Sequence, residues 1–161
     1  MAKTVVLGVG NILLSDEGFG VRVAEALLQR FRFPDEVEVL DGGTLGIELM
    51  RFLDGAERLI LIDAIHGPAQ PGSFHVIRGE AVRLYFKEKV SMHELGIQEV
   101  LASLVVMEKP IEEIVVVGVV PLSLEISLDL TPLIAARIDE AVESVINQLK
   151  NWDLEYSVRL Q

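Results

Sequence analysis

The sequence predicts an α/β fold: one three-layer α/β/α domain spanning residues 1–161, built on a twisted, mostly parallel sheet of about five strands with one antiparallel edge strand. Three observations carry this. Strand-like apolar runs alternate with segments of helical period, which is the pattern of βαβ units. The runs Arg58–Asp63 and Ile114–Val120 are apolar at successive positions rather than at every second one, as in parallel strands covered on both faces. No repeat, low-complexity run or linker interrupts the 161 residues, a length that lets one domain bury roughly 70% of its unfolded surface.

The elements follow in order. Val5–Gly10 reads as a buried first strand ending in glycine. Glu17–Phe31 places Val21, Ala24, Leu28 and Phe31 at helical spacing, with Arg22, Glu25 and Gln29 on another face, and Pro34 closes the helix. Val37–Leu40 is a short second strand. Thr44 is a candidate N-cap for a helix over Ile47–Leu53 that stops near Gly55. Arg58–Asp63 is the third strand, and Pro68–Gly72 is a turn cluster. Ser73–Arg78 is a shorter strand, expected to be the antiparallel edge member because only a short loop links it to the third strand. A helix is expected over Glu80–Phe86. Ser91-Met-His-Glu94 has the spacing of a capping box and opens a helix through Met107. Ile114–Val120 is the most apolar strand. A final helix has Thr131 as N-cap, Pro132 at its first position, and Leu133, Ile134, Ile138, Ala141, Val142, Val145 and Leu149 on its apolar face.

Composition narrows the function. There is no cysteine, which excludes disulfides, a thiolate nucleophile, a zinc knuckle and an iron–sulfur cluster carried by this chain. With 14 basic against 25 acidic residues the net charge is −11, so no nucleic-acid partner is expected. No apolar run reaches the ~18 residues of a membrane span, and no signal-peptide pattern precedes the first strand. The expectation is a cytoplasmic protein without a membrane partner. It is expected to be a monomer, because no apolar helix stripe is left over once the core is assigned.

In open α/β sheets the functional crevice lies beyond the carboxyl ends of the parallel strands. Three side chains fall there. Glu17 follows the first strand, Asp63 ends the third, and His93 sits in the first turn of the capped helix. Two carboxylates and an imidazole make a nitrogen-and-oxygen donor set suited to nickel, zinc, manganese or iron. A helix N-terminus also favours the neutral, ligating form of His93. Each residue has a plainer reading as well. A carboxylate at a helix start offsets the macrodipole, an Asp ending a strand caps backbone N–H groups, and a lone His is often structural. Their shared edge is what points to a site.

Other motifs fail. Gly8-Val-Gly10 lacks the third glycine of a dinucleotide fingerprint, since Leu13 holds that position, and Asp16 and Glu17 stand where a pyrophosphate would bind. His93-Glu94 lacks the second histidine of H-E-x-x-H, and no G-x-S-x-G elbow occurs. Asp41-Gly42-Gly43-Thr44 is not an aspartic-protease motif; its paired glycines expose backbone, as a plain turn or as a docking edge for an extended peptide. His66 lies close to Asp63 and is read as a solvated loop residue or an auxiliary group. His75 matches nothing.

Taken together, Val9–Val21, Asp41–Thr44, Ile62-Asp63-Ala64 and Ser91–Glu94, with Gly118 and Pro121, resemble the maturation endopeptidases of nickel–iron hydrogenases. The resemblance runs from Val5 to about Leu149 and leaves residues 152–161 unmatched. It implies an aspartic-type, nickel-dependent endopeptidase. Such an enzyme removes a C-terminal extension from a hydrogenase large-subunit precursor once nickel has been inserted. Glu17, Asp63 and His93 fall on the family's metal-contacting positions and would be the catalytic set, with Asp63 a candidate base. Asp41, Gly42, Gly43 and Thr44 fall on a substrate-binding region. The nickel would be supplied by the substrate, with zinc or cadmium able to occupy the same donors. The alternative is a nickel-dependent chaperone that binds the same subunit and cuts nothing.

Overall fold

The computed structural model describes residues 3–44, 47–88 and 95–160. Five strands form one sheet: β1 (Lys3–Val9), β3 (Val37–Gly43), β4 (Ala56–Ala64), β5 (Phe74–Ile77) and β6 (Glu113–Val119), in the order β3-β1-β4-β6-β5. The first four positions pair in parallel and β5 pairs antiparallel to β6 at the edge. Helices α1 (Phe19–Arg30), α5 (Pro132–Ala135) and α6 (Ile138–Asn151) contribute to the core on one face, and α2 (Met50–Leu53), α3 (Glu80–Glu88) and α4 (Leu95–Val106) to that on the other.

The strand pattern explains this layering. Val6, Ile60, Ile62, Val115 and Val117 join Phe19, Val23, Leu27, Val145 and Leu149 in one core. The alternate residues Val5, Leu7, Leu59, Leu61 and Val116 join Leu49, Leu53, Val100 and Leu104 in the other. Because successive side chains point to opposite faces, a strand covered on both faces is apolar throughout. Each such fully buried side chain contributes roughly 1.5–3 kcal/mol.

Chain direction sets where a site can form. From β1 the chain moves outward to β3, then crosses back over β1 to β4. The reversal makes β1 and β4 the switch point, and their carboxyl ends open a crevice there.

Two expectations change. The edge strand β5 is antiparallel as anticipated, but it pairs with β6 and not with β4, its neighbour in sequence. The place beside β4 is taken by β6, from Arg58↔Glu113 to Ala64↔Val119, whose Val115, Val116, Val117 and Val119 need cover on both faces. The half-buried residues of β5 suit an edge. The final helix is also two helices. At the break Arg137 (φ −92°, ψ −7°) donates its N–H to Ile134 O, and its guanidinium bonds Gly72 O at 2.9 Å and Glu140 at 2.8 Å. Thr131 stands at the N-cap of α5 but turns its hydroxyl away from the helix.

A small antiparallel pair, β2 (Phe31–Arg32) with β7 (Ser157–Val158), closes the opposite end of the molecule and had no counterpart in the sequence reading. The capping box Ser91–Glu94 lies outside the described residues; α4 follows it and ends at Val106, and the chain then turns at Glu108 (φ 59°), where Lys109 N–H bonds Leu104 O.

Candidate active site

Close backbone packing builds the site. Gly10 (φ +133°) turns the chain leaving β1 back on itself, and a Cβ there would lie 1.9 Å from Glu17 O. A Cβ on Gly20 would lie 2.1 Å from Ile62 O and 2.5 Å from Val9 O. The first turn of α1 therefore rests directly on the ends of β1 and β4. The 3₁₀ turn before it, Ser15–Gly18, is wholly buried and carries two adjacent acids, Asp16 and Glu17.

These two neighbours have different partners. Asp16 is fully buried and binds the segment that follows β6. Its Oδ2 accepts the N–H groups of Leu122 (3.0 Å) and Ser123 (2.9 Å), and its Oδ1 accepts that of Thr131 (2.8 Å), whose hydroxyl also donates to Oδ2 at 2.9 Å. Ser15 (φ 53°) adds its hydroxyl to Asp129 O at 2.9 Å. Glu17 turns the other way, toward the loop after β4, where its Oε2 lies 2.8 Å from His66 Nε2. Glu17 is only 3% exposed.

Asp63, fully buried near the end of β4, accepts Ala64 N–H on Oδ1 (2.9 Å) and the Tyr85 hydroxyl on Oδ2 (2.8 Å). Tyr85 reaches it from α3. Gly118 is the neighbour of Asp63 in β6, and a Cβ there would lie 2.4 Å from Asp63 O, so β6 must carry a glycine beside this residue.

The structure thus brings Glu17 and the Asp63–His66 segment to the carboxyl edge at the switch point, as the strand ends predicted. His93, the third expected donor, lies outside the described residues; among those described, no three of His, Asp and Glu group closely enough to hold a metal ion. Asp41–Gly43 form the end of β3 and not a detached loop, and Thr44 is the turn residue that follows. Exposed Asp41 accepts Gly43 N–H at 2.8 Å, Gly42 is buried against Leu7, and Gly43 (φ +48°) accepts Gly10 N–H at 2.9 Å. Thr44 is exposed beside it. Paired glycines here tie the ends of β1 and β3 and leave Asp41 and Thr44 facing outward.

Three residues have partners that sequence reasoning did not identify. His66, read as a solvated loop histidine with an auxiliary group as the alternative, is bonded to Glu17. Its nearness to Asp63 in the chain was the one available signal. Tyr85 had none beyond an amphipathic helix. Asp16 looked like a twin of Glu17, and only partners more than 100 positions away separate the two.

Comparison with known proteins bears on the chain and its fold as a whole. The family model for hydrogenase maturation protease matches residues 21–148. The chain is 44% identical over 154 residues to hydrogenase 2 maturation protease of Escherichia coli (strain K12), spanning 95% of this chain and 94% of that one. It is 38% identical over 159 residues to the hydrogenase expression/formation protein HupD of Bradyrhizobium diazoefficiens, spanning 98% and 83%. The fold superposes on the E. coli hydrogenase maturating endopeptidase HybD with a TM-score of 0.92 at 43% identity, covering 98% of each chain. On the NiFe hydrogenase maturation protease HybD of Thermococcus kodakarensis the TM-score is 0.76 at 26% identity, covering 91% and 98%. With a match of this extent in both sequence and architecture, the chain belongs to the hydrogenase maturation protease family.

Proposed function

We propose that this protein cuts a C-terminal extension from a hydrogenase large-subunit precursor, and does so only after the precursor has received nickel. The observation that carries this reading is the buried Glu17 carboxylate, seated at the β1/β4 switch point and joined to the segment that bears Asp63. Buried carboxylates and imidazoles are costly away from water unless they are paired or meet a cation. The set gathered here is oxygen and nitrogen, which suits nickel and also zinc or cadmium. Glu17, Asp63 and His93 would contact the nickel of the incoming substrate, and no resident metal is invoked.

A metal held there would supply Lewis-acid polarisation of the scissile carbonyl. Asp63 takes a proton from the attacking water as its oxygen bonds to the carbonyl carbon. The same proton passes to the departing amine nitrogen as the C–N bond breaks, leaving a new terminal carboxylate and a free extension peptide. The Tyr85 hydroxyl holds the Asp63 carboxylate in one orientation through this exchange. Asp41, Gly42, Gly43 and Thr44 would line the path of the extended peptide at the neighbouring strand end. Among the described residues no helix is long and apolar enough to cross a membrane. The setting we propose is the cytoplasm, with the enzyme acting as a monomer.

The test is incubation with a large-subunit precursor, nickel-loaded and nickel-free, read by intact mass. Loss of a C-terminal fragment from the loaded form alone is expected, and Glu17→Ala and His93→Ala should abolish it with little change in melting temperature. Nickel-dependent binding without cleavage would replace the protease reading with that of a chaperone. Normal processing by either variant at equal concentration would remove that residue from the site.

A further inference from the structure

We propose that His66 is a positioning residue of this site, holding the Glu17 carboxylate in the orientation in which it meets the substrate's metal. The inference rests on the nickel-contacting role proposed above for Glu17 and deepens it. Its basis is the 2.8 Å contact between His66 Nε2 and Glu17 Oε2, made from a ring about two-fifths exposed to a carboxylate almost wholly buried. An ionised carboxylate only accepts hydrogen bonds, so Nε2 carries the proton and donates it. A carboxylate on a three-torsion side chain otherwise samples several orientations. One directed N–H donor from a fixed ring removes much of that freedom, which is how outer partners orient metal-contacting groups.

The ring is delivered by an anchored segment. Just before it, Ile65 N–H bonds Val119 O at 2.8 Å, and the Ile65 side chain packs over Gly118, 2.6 Å from where a Cβ would stand. At the far end of the loop, Gly72 N–H bonds Val120 O at 2.8 Å, while Gly72 O accepts Arg137 Nε at 2.9 Å. Both ends are thus tied to the end of β6 and the residue after it. His66 is also only three residues beyond Asp63, so one short stretch carries the candidate base and the group that steadies Glu17.

The test compares wild type, His66→Ala and His66→Gln in two readouts: Ni²⁺ affinity of the free protein by calorimetry, and kcat/KM on a nickel-loaded precursor. The side-chain amide of Gln keeps an N–H donor of similar reach. His66→Ala should weaken Ni²⁺ binding and lower kcat/KM by roughly 10–100-fold, with His66→Gln recovering most of both. Equal Ni²⁺ affinity in wild type and His66→Ala overturns the inference, even if every precursor is cut. A Gln variant as impaired as the Ala variant also overturns it, because the ring would then be contacting the metal directly. If wild type cuts no precursor, the protease reading falls while the affinity series still decides the role of His66.

Discussion

Neighbouring carboxylates divide the work at the first helix. Asp16 and Glu17 differ by one methylene and one position, yet Asp16 gathers donors from Leu122, Ser123 and Thr131 while Glu17 faces the site. Asp16 is therefore the tie that fixes the turn bearing Glu17. Replacing it by Asn removes one acceptor oxygen and sets an NH₂ group against backbone N–H donors. Asp16→Asn should cost about 2–4 kcal/mol, since hydrogen bonds to a charged group are worth about 1.5–3 kcal/mol each. Urea denaturation would measure this, and a loss below about 1 kcal/mol would mean that the tie is not structural. At this scale the sequence was partly legible. Glu17 and Asp63 could be placed because each adjoins the end of a recognisable strand. The roles of Asp16, His66 and Tyr85 are set by partners that only the folded chain brings near.

Elements were more legible than contacts. Of the four parallel strands, β1, β4 and β6 declare themselves by apolar runs and β3 by its alternating Val37 and Val39, and their ends point to the crevice. The place of β5 and the break before α6 were not readable, since the first depends on which strand claims the open side of β4 and the second on a long-range bond from Arg137 to Gly72. Helix-to-sheet approach was equally hidden, because glycine marks a close contact without naming its partner. Gly20 is the sharpest case: a Cβ there would meet backbone oxygens of Ile62 and Val9, which no rotamer change can relieve. Ala in a helix gains ~1 kcal/mol over Gly in propensity, whereas overpacking of this kind costs about 3 kcal/mol. Gly20→Ala should therefore destabilise by about 2 kcal/mol and shift Glu17 away from the end of β4, lowering processing as well. Gly67→Ala, where a Cβ would meet nothing within 4 Å, is the control for stability. A neutral Gly20→Ala in the same melts would show that the helix is free to slide.

Across the whole molecule, chemistry and clasp sit at opposite poles. α1 starts at the site and runs back along the sheet, so its C-terminus lies at the far end, where its last carbonyls lack helical partners. The tail supplies them. Arg159 donates its backbone N–H to Arg30 O at 2.9 Å, and its Nε to Leu28 O and Phe31 O at 2.9 and 3.0 Å. A guanidinium at this end also complements the helix dipole. Tyr156 stacks edge-on to Phe31 with ring centroids 5.6 Å apart, and β7 pairs with β2. Residues 152–160, which the sequence reading left unmatched, thus have a structural task remote from the crevice. Removing residues 155–161 should cost about 2 kcal/mol, from the aromatic pair and the helix-end contacts, and lower Tm by roughly 4–8 °C. Ni²⁺ affinity and kcat/KM, measured well below the new Tm, should stay within about twofold of wild type, because the lost contacts all lie at the far end of α1. A truncated protein that keeps its Tm but loses affinity would place the tail in the site's own machinery and refute the separation of the two poles.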